Sequence, residues 1–492
     1  MLMLQVAFPL AVAAQSSPHV ILDETRQLFL DDWLIESKSN VTRRIHEARK
    51  SPDNPVLWPS EEWEGKVAVV YGSVIRDGRK WKMWYHGGGG VSYAESDDGI
   101  AWEKPKLDVV TIDGQKTNVI VQRGADEGQP GALPWFYEVF GVHKDDDPDA
   151  PYKLGYLSIQ RDYTGPGGDP FHGGQRRGLG VASSADGIHF DSVEPWATEA
   201  IVDGATHWMF DPIRRKYILY GRTKHISDEI RAAWGDHEWF GKHWGRAVAR
   251  VESDDFITWD NSDPLKAPVV MAADPSDQPC DEIYSMLVFP YESVYIGLVQ
   301  MFHNHPDSSL LDVQLAVSRD TVNFERVGNR ATFLPVGGVG EWDRYNNSLA
   351  NNPPIEVGEE LRFYYGGRTY RHGPYDGPDT GEPGGGIGFA TIQKDRFVSL
   401  EASFDGGEIV TRPMVLDGTE LHLNATSDFG EISVEALDTD GNVIARSEPI
   451  REDSLDITVP WDGDGPLGSD EPVRLRIKLT NARMYAVWCA TK

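Results

Sequence analysis

Five stretches of the chain share one pattern: a strand of small and apolar residues, a short polar turn, then an aromatic or apolar residue. They are GVSYAESDDGIAW (Gly90 to Trp102), GLGVASSADGIHF (Gly178 to Phe190), GRAVARVESDDFITW (Gly245 to Trp259), VQLAVSRDTVNF (Val313 to Phe324) and GIGFATIQKDRFVSL (Gly386 to Leu400). Their last residues lie 65 to 88 positions apart, enough for a four-stranded sheet and its loops. Repeated β units stack because none buries both faces alone. The repeat predicts an all-β fold, a five-bladed β-propeller.

The composition agrees with many short strands and excludes some partners. The 492 residues include 50 Gly and 31 Pro, which favour turns over long helices. The formal net charge is −30, which argues against nucleic acid as a partner, because phosphate backbones are bound through Lys and Arg. It argues equally against docking on an anionic membrane. Cys280 and Cys489 are too few for a disulfide framework, and two buried free thiols are expected.

Three segments are predicted along the chain. Residues 1–17 have an apolar run ending in small residues, which is typical of a signal peptide and predicts a secreted or periplasmic protein. Residues 18–402 would form the propeller, and QLFLDDWLIE (Gln27 to Glu36) would pair with its last blade to close the ring. Residues 403–492 alternate as strands with Asp-Gly turns, which predicts a C-terminal β-sandwich.

The candidate site residues lie where the inner strand of each blade begins, because those positions line a propeller's axis. Carboxylates and aromatic residues recur there, as sugar cleavage requires: one carboxylic acid protonates the leaving oxygen, and a second carboxylate attacks or activates water. The third blade offers Asp203. The predicted catalytic set is Glu64, Glu138, Glu282, Asp281 and Asp343, and the predicted substrate-binding set is Trp135, Tyr137, His207, Trp208, Tyr284, Trp342, Arg344 and Asn346. Neither a cofactor nor a metal is predicted.

The chain resembles the five-bladed sugar propellers, glycoside hydrolase families 32 and 43, and related hydrolase-like propellers that carry an LFLDDxLIE segment, here Leu28 to Glu36. The resemblance covers about residues 20 to 490 and lies in the architecture. By blade position it implies Glu64 as base or nucleophile, Glu138 as an acid that tunes pKa values, and Glu282 as general acid. Strand alternation would place Glu282 on the same side as Tyr284. The implied function is hydrolysis of an oligo- or polysaccharide.

Two alternatives remain open at this stage. A carbohydrate-binding propeller without activity would keep the aromatic residues and lack a working pair of carboxylates. A glycoside phosphorylase would need a phosphate site, which Arg344, Arg368 and Arg371 could supply. The insertion at residues 223 to 245, rich in His and Trp, would be either a lid over sugar subsites or a surface loop.

Overall fold

The computed structural model describes residues 20–491, except 88, 166–172, 200–202, 236–244, 261–265, 306–307, 373–383, 464 and 468–470. The predicted signal segment, residues 1–17, and residues 236–244 of the 223–245 insertion lie outside the described residues. The described chain is almost entirely β, as expected from the repeat. Its longest helix, Asp228–Trp234, has seven residues, and no described helix is long and apolar enough to cross a membrane. Short 3₁₀ turns cover Glu62–Glu64 and Gly328–Arg330.

Three four-stranded antiparallel sheets are followed along the chain by one ten-stranded sheet, which divides at a single parallel bridge into two antiparallel parts, here called the fourth and fifth sheets. The first has Val69–Asp77, Lys80–Gly87, Gly90–Ser96 and Val119–Gln122; the second Phe136–Lys144, Tyr152–Gln160, Arg176–Ser184 and Asp191–Thr198; the third His207–Asp211, Lys216–Lys224, Arg246–Ser253 and Val269–Met271. The fourth has Asp281–Tyr291, Val294–His303 and Leu310–Ser318, with Phe324–Arg326 and Thr332–Leu334 in the last position. The fifth has Asn346–Leu349 with Ile355–Val357, then Glu360–Arg368, Gly385–Gln393 and Arg49–Lys50.

The five sheets contact one another in a circle. The first strand of the second sheet contacts those of the first and third sheets, and the third contacts the fourth. A parallel bridge joins Leu311 of the fourth sheet to Asn346 of the fifth. The fifth sheet in turn contacts Val69–Asp77 of the first. The first strands of all five sheets therefore surround one common region.

A local turn explains why the repeat is visible in the sequence. In the first sheet the Ser96 hydroxyl accepts hydrogen bonds from the N–H groups of Asp98 and Gly99, and Asp98 Oδ1 accepts from the N–H groups of Ile100 and Ala101. Ser184 with Asp186, Ser253 with Asp255, and Ser318 with Asp320 do the same. These side chains replace backbone hydrogen bonds where the third strand ends. The predicted turn role of these residues agrees with this geometry.

Two further sheets contain the C-terminal part of the chain. One has Asp453–Thr458, Glu420–Thr426, Ala482–Ala490, Val398–Ala402 and Thr42–Ile45, with Gln27–Leu28 beside Ala482–Ala490; the other has Ile35–Ser39, Gly407–Thr411, Arg474–Thr480, Glu431–Leu437 and Val443–Arg446. Their apolar residues form a shared buried cluster. Two small pairs complete the described strands, Val20–Leu22 with Met414–Leu416 and Leu107–Ile112 with Gln115–Thr117.

The N-terminal segment differs from the expectation. Gln27–Leu28 pairs with Ala482–Ala490 and Ile35–Ser39 with Gly407–Thr411, so both belong to the C-terminal sheets. The outer strand of the fifth sheet is instead Arg49–Lys50, which pairs with Ala390 and Thr391. The physical reason is burial: Leu28 and Leu30 pack in a cluster with Ala486 and Trp488. Cys280 and Cys489 are free and buried, as expected.

Candidate active site

Glu138 lies near the start of the first strand of the second sheet and is partly exposed. Burial raises its pKa to about 7, and the charge of Asp203 acts in the same direction against the opposing Arg368, Arg123 and Arg222. Its carboxyl packs directly on the backbone of Gly204, where a methyl group would overlap Oε2. A carboxyl group with this pKa is protonated for much of the time near neutral pH, as a general acid must be.

Asp203 lies immediately before the first strand of the third sheet. One carboxylate oxygen accepts from Arg177 Nη2 at 3.0 Å and from the N–H of Gly204 at 2.9 Å, and the other accepts from Arg222 Nη1 at 2.7 Å. Two guanidinium groups stabilise it as a carboxylate. About 30% of its side chain is exposed, so a small molecule can reach it. Asp203 and Glu138 therefore form a pair with opposite proton preferences.

Tyrosine rings and arginines surround this pair. Arg222 lies over the ring of Tyr284, with its Cζ 4.0 Å from the centroid, and donates to the Tyr284 carbonyl at 3.0 Å. Arg368, at the end of the second strand of the fifth sheet, contacts the hydroxyl of Tyr71 at 3.4 Å. Burial raises the pKa of Tyr71, and Tyr284 and Glu138 contribute to this shift. The four residues thus share one locality with Glu138, although they come from four different sheets.

His372 lies against the same group. Its ring meets Tyr284 edge-on at 4.8 Å and Phe302 at 5.1 Å. Burial holds its pKa well below the usual value, and the charges of Arg368, Arg246 and Arg222 act in the same direction. The imidazole is therefore neutral at neutral pH and can both donate and accept hydrogen bonds.

A polar network joins the first strands inside the circle. The N–H of Asn351 donates to the Gly72 carbonyl at 2.7 Å, and its Oδ1 accepts from the N–H of Trp208 at 3.2 Å. Ser73 Oγ donates to the Asn351 carbonyl at 2.8 Å and accepts from the N–H of Val142 at 3.0 Å. Four sheets are connected by these two side chains, so the network fixes where the first strands begin.

A cavity of about 720 Å³ receives residues from all five sheets at the other ends of the first strands. Its walls include Val74 to Arg76, Val142 to Asp145, Trp208 to Phe210, Phe289 to Tyr291 and Asn352 to Glu356. The walls of this cavity are mostly apolar. The charged and polar side chains around Glu138 lie instead at the end of the sheets where the first strands start. All five sheets line this cavity, but it is not the candidate site.

Glu64 has the contacts of a structural carboxylate. It is 3% exposed, accepts from Lys104 Nζ at 2.6 Å and from the Tyr85 hydroxyl at 2.5 Å, and also accepts from the N–H groups of Ser60 and Glu61. Burial alone would raise its pKa, but the hydrogen bonds of Lys104, Tyr85 and the backbone outweigh burial and lower it. With both oxygens occupied, Glu64 fastens the loop before the first sheet, and its expected role as base or nucleophile is not retained.

Glu282 and Asp281 also require correction. Glu282 is fully buried and ion-paired with Arg246, with Asn304 Nδ2 at 3.3 Å, so no surface remains for a substrate. The pairing register shifts between Ile283 and Ser285, which interrupts the alternation that was expected to align Glu282 with Tyr284. Asp281 Oδ1 lies 2.8 Å from His303 Nδ1. Burial lowers the pKa of His303, but Asp281 and Asp312 overcome this and raise it to about 10.

Asp343 is buried in the fifth sheet. It accepts from the Tyr365 hydroxyl at 2.8 Å and pairs with Lys50 at 2.6 Å. Trp342 is stacked on Tyr365, with centroids 5.4 Å apart. These contacts tie Asp343 and Trp342 to the outer strand of the sheet, away from the residues that influence Glu138. The structure therefore gives Asp343 and Trp342 packing and ion-pair roles.

The remaining predicted binding residues separate into buried and accessible ones. Trp208 is 1% exposed within an apolar cluster, Asn346 is fully buried, and burial lowers the pKa of His207 to about 4. Arg344 lies over the ring of Tyr345 at 5.3 Å. Trp135, by contrast, is 44% exposed. Trp135 and Tyr137 line a cavity of about 630 Å³ next to Glu138 in the chain.

Sequence reasoning missed three members of the group around Glu138, Tyr71, Arg222 and His372, and named a fourth, Arg368, only as part of a possible phosphate site. A signal for two of them was present. Arg222 and Arg368 both follow a tyrosine and glycine at the end of a second strand, in KYILYGR and RFYYGGR. A guanidinium that ends an apolar strand is an exception to burial preferences and marks a site. Tyr71 and His372 had no comparable signal. Among the described residues, no cluster of His, Cys, Asp and Glu could hold a metal ion.

No family model matches the sequence, and no curated protein matches it. Among solved structures, an N-acetylgalactosamine deacetylase from F. plautii, in complex with blood group B trisaccharide, is 15% identical with a TM-score of 0.46, over 73% of this chain and 97% of that one. A glycosyl hydrolase from Bacteroides ovatus is 14% identical (TM-score 0.43; 76% and 98%), and a thermostable family-43 glycoside hydrolase is 13% identical (TM-score 0.42; 70% and 96%). Glycoside hydrolases, one of family 43 included, are thus among the solved structures to which this chain is similar. Because the identities and TM-scores are low, the activity must be argued from this chain's own site.

Proposed function

We propose that the protein is a glycoside hydrolase whose five sheets are the blades of one β-propeller, with its active site around Glu138 and Asp203. The closed circle of contacts between first strands supports the propeller. The two later sheets, with their shared core, would be the β-sandwich, to which residues 20–45 contribute strands. Export through residues 1–17 remains part of this proposal.

The observation that supports the activity best is the contrast between two neighbouring carboxyl groups. The pKa of Glu138 is raised to about 7 by burial, whereas Asp203 is held by two guanidinium groups. Pairs of titratable groups whose surroundings separate their proton affinities are the usual acid and base of an active site. Glycoside hydrolysis uses two carboxyl groups in these roles.

In the proposed reaction, Glu138 donates its proton to the glycosidic oxygen as the bond between that oxygen and the anomeric carbon breaks. Asp203 either accepts a proton from the water that adds to the anomeric carbon or attacks that carbon itself. Arg177 and Arg222 keep Asp203 in place. Tyr71 and Tyr284 form a buried wall of the site, and the neutral His372 can bond the hydroxyl groups of a sugar.

A substrate screen followed by two substitutions tests the proposal. The purified protein is incubated with a panel of plant and algal glycans, and released sugars are measured by chromatography. On a substrate that is cleaved, Glu138→Gln and Asp203→Asn are each expected to lower kcat by about 10²–10⁴-fold, whereas Glu325→Gln, at an exposed position, leaves it unchanged. Full activity of Glu138→Gln would reject the assignment. Binding of glycans without release of any sugar would favour the carbohydrate-binding alternative.

A further inference from the structure

The site around Glu138 is rich in positive charge, although the protein as a whole has a net charge of −30. Arg368, Arg123 and Arg222 all act on the carboxyl of Glu138. Arg368, Arg246 and Arg222 all act on His372. Four guanidinium groups thus lie around one small region of an acidic protein. Carboxylates already keep the surface of this protein solvated, so a local cluster of positive charge is not needed for solubility. Such a cluster is typical of a binding site for an anion.

Two of these four cations are neutralised inside the protein. Arg222 pairs with Asp203 at 2.7 Å, and Arg246 pairs with Glu282. These pairs have structural explanations, since the Arg222 guanidinium also donates to the Tyr284 carbonyl, and the backbone N–H of Arg246 also donates to Glu282. They account for Arg222 and Arg246 without any ligand.

Arg368 has no such explanation. No carboxylate of the described residues lies within ion-pair distance of it, and the only hydrogen bond described for its guanidinium is the 3.4 Å contact with the Tyr71 hydroxyl. Its Nε is buried without a partner. Burial of a cation that lacks a counter-ion is unfavourable by several kcal/mol in general. An arginine at this position is therefore explained if a bound ligand supplies the missing negative charge.

Arg123 is a second cation that acts on the carboxyl of Glu138. It lies over the ring of Tyr137 at 4.2 Å and donates from Nε to the Tyr137 carbonyl at 2.7 Å. The described residues include no carboxylate in ion-pair distance of Arg123. Its side chain lines the 630 Å³ cavity that also contains Trp135. A second guanidinium without a carboxylate partner among the described residues thus lies at the wall of this cavity.

The protonation of Glu138 strengthens the effect. As the proposed general acid, Glu138 is uncharged when the enzyme is ready to react, and it then offers Arg368 no compensating charge. The site is therefore most positive in its reactive state. A substrate with a negative substituent restores the balance, and a guanidinium binds a carboxylate or sulfate through two parallel hydrogen bonds.

We propose that the substrate is an anionic glycan, with a sugar-borne carboxylate or sulfate held by Arg368 beside Glu138 and a following anionic residue near Arg123. This inference rests on the proposed function, which it makes more specific. The shared chemistry is an oxyanion attached to the sugar ring. Free inorganic phosphate, as a phosphorylase would require, has the same chemistry and is distinguished below.

The test measures binding separately from turnover. The full-length Glu138→Gln variant is applied to a glycan array of uronate-bearing, sulfated and neutral oligosaccharides, and hits are titrated by calorimetry together with their carboxyl-reduced or desulfated counterparts. The anionic ligand is expected to bind at least tenfold more tightly than its neutral counterpart, with an affinity that falls as NaCl rises. Adding Arg368→Met is expected to remove this preference, at about 10–100-fold in affinity for the anionic ligand. Arg368→Lys should restore part of it.

Arg49→Met is the matched control, because Arg49 is 81% exposed on the outer strand of the same sheet and should leave binding unchanged. An array in which only neutral glycans bind, or no glycan binds, overturns the inference. So does unchanged anion preference in the Arg368→Met variant, or cleavage that requires inorganic phosphate. If anionic glycans bind through Arg368 but are never cleaved, the inference stands and the hydrolase proposal falls. If the protein cleaves only neutral glycans and this cleavage depends on Glu138, the hydrolase proposal stands and the inference of an anionic substrate falls.

Discussion

Glu64 and Glu282 are buried and Glu138 is partly exposed, and the surroundings of these three carboxyl groups assign them different tasks. Lys104 and Tyr85 saturate Glu64, and Arg246 neutralises Glu282. Glu138 has no cation in ion-pair contact among the described residues, so its burial is uncompensated and its pKa rises to about 7. A proton donor must be able to release its proton to a substrate, and of the three carboxyl groups only Glu138 has surroundings that permit this.

The raised pKa of Glu138 has a consequence for stability. Because the pKa in the folded protein, about 7, exceeds the ordinary value of 4.5, the favourable contribution is fully present below about pH 4.5 and is lost as the pH rises through 7. Glu138→Gln stays neutral at every pH. Its free energy of unfolding, relative to wild type, is therefore expected to increase between pH 4.5 and 8 by on the order of 1–3 kcal/mol.

Urea unfolding at several pH values measures this difference, with Glu325→Gln as the exposed control. A stability difference that stays constant across this range would mean that Glu138 ionises normally in the folded protein.

The ion pair of Glu64 provides a second prediction at the residue scale. Lys104→Met leaves a buried carboxylate without its cation, so we expect a loss of about 3–5 kcal/mol in the free energy of unfolding. Lys106→Met, which removes the exposed pair with Glu61, should cost less than about 1 kcal/mol. Folded Lys104→Met protein is expected to keep wild-type kcat. A selective loss of kcat with unchanged stability would return Glu64 to the catalytic set.

At the scale of strands and turns, the sequence predicted those features whose hydrogen bonds lie within a few residues of one another, and it did not predict features that arise from the pairing of strands. The turns at Ser96 and Ser184 are made by hydrogen bonds within four residues, so their pattern repeats along the chain and reveals the sheets. The bulge at Tyr284 arises in the pairing with the next strand, Val294–His303. Alternation alone could not show it, and the wrong register led to Glu282. Arg222 and Arg368 come from second strands, whereas the predicted catalytic and substrate-binding sets came from the starts of first strands.

Asn351 connects strands of different sheets and allows a prediction at this scale. Its Oδ1 accepts from the N–H of Trp208 and lies 3.3 Å from His207 Nδ1. Asn351→Ala would leave these buried groups unsatisfied, so we expect a loss of about 2 kcal/mol or more in the free energy of unfolding. The control is Asn442→Ala in an exposed turn, with an expected change of less than about 1 kcal/mol. Equal effects of the two substitutions on the urea midpoint would show that the network adds nothing.

For the whole molecule, the expected boundary at residue 402 separates strands that the structure brings together. Ala486 and Trp488, near the C-terminus, pack in one cluster with Leu361 and Phe363 of the fifth sheet. Composition showed a change of texture after about residue 402, but the strand Val398–Ala402 already pairs with the C-terminal strand Ala482–Ala490. Composition could not show that residues 20–45 join the C-terminal strands, because strand pairing over more than 350 residues leaves no local pattern.

This shared cluster predicts cooperative unfolding. Trp488 is 5% exposed and stacks on His422, so Trp488→Ala should cost about 3–5 kcal/mol. Calorimetry is expected to show one transition for wild type and one, at lower temperature, for the variant. Phe429→Ala is the control, because Phe429 is 82% exposed in the same C-terminal part. Two transitions, of which only one moves with Trp488, would mean that the C-terminal sheets unfold independently.

The dependence of kcat/KM on pH tests the central claim most directly, because it reports the protonation of the acid in the free enzyme. With a cleaved glycan as substrate, the wild type is expected to lose kcat/KM as the pH rises through about 7, the value that burial gives Glu138. Glu138→Gln should show both a loss of about 10²–10⁴-fold and no descending limb near that pH. A descending limb near pH 7 that persists in Glu138→Gln, with activity close to wild type, would contradict the assignment of Glu138 as the general acid.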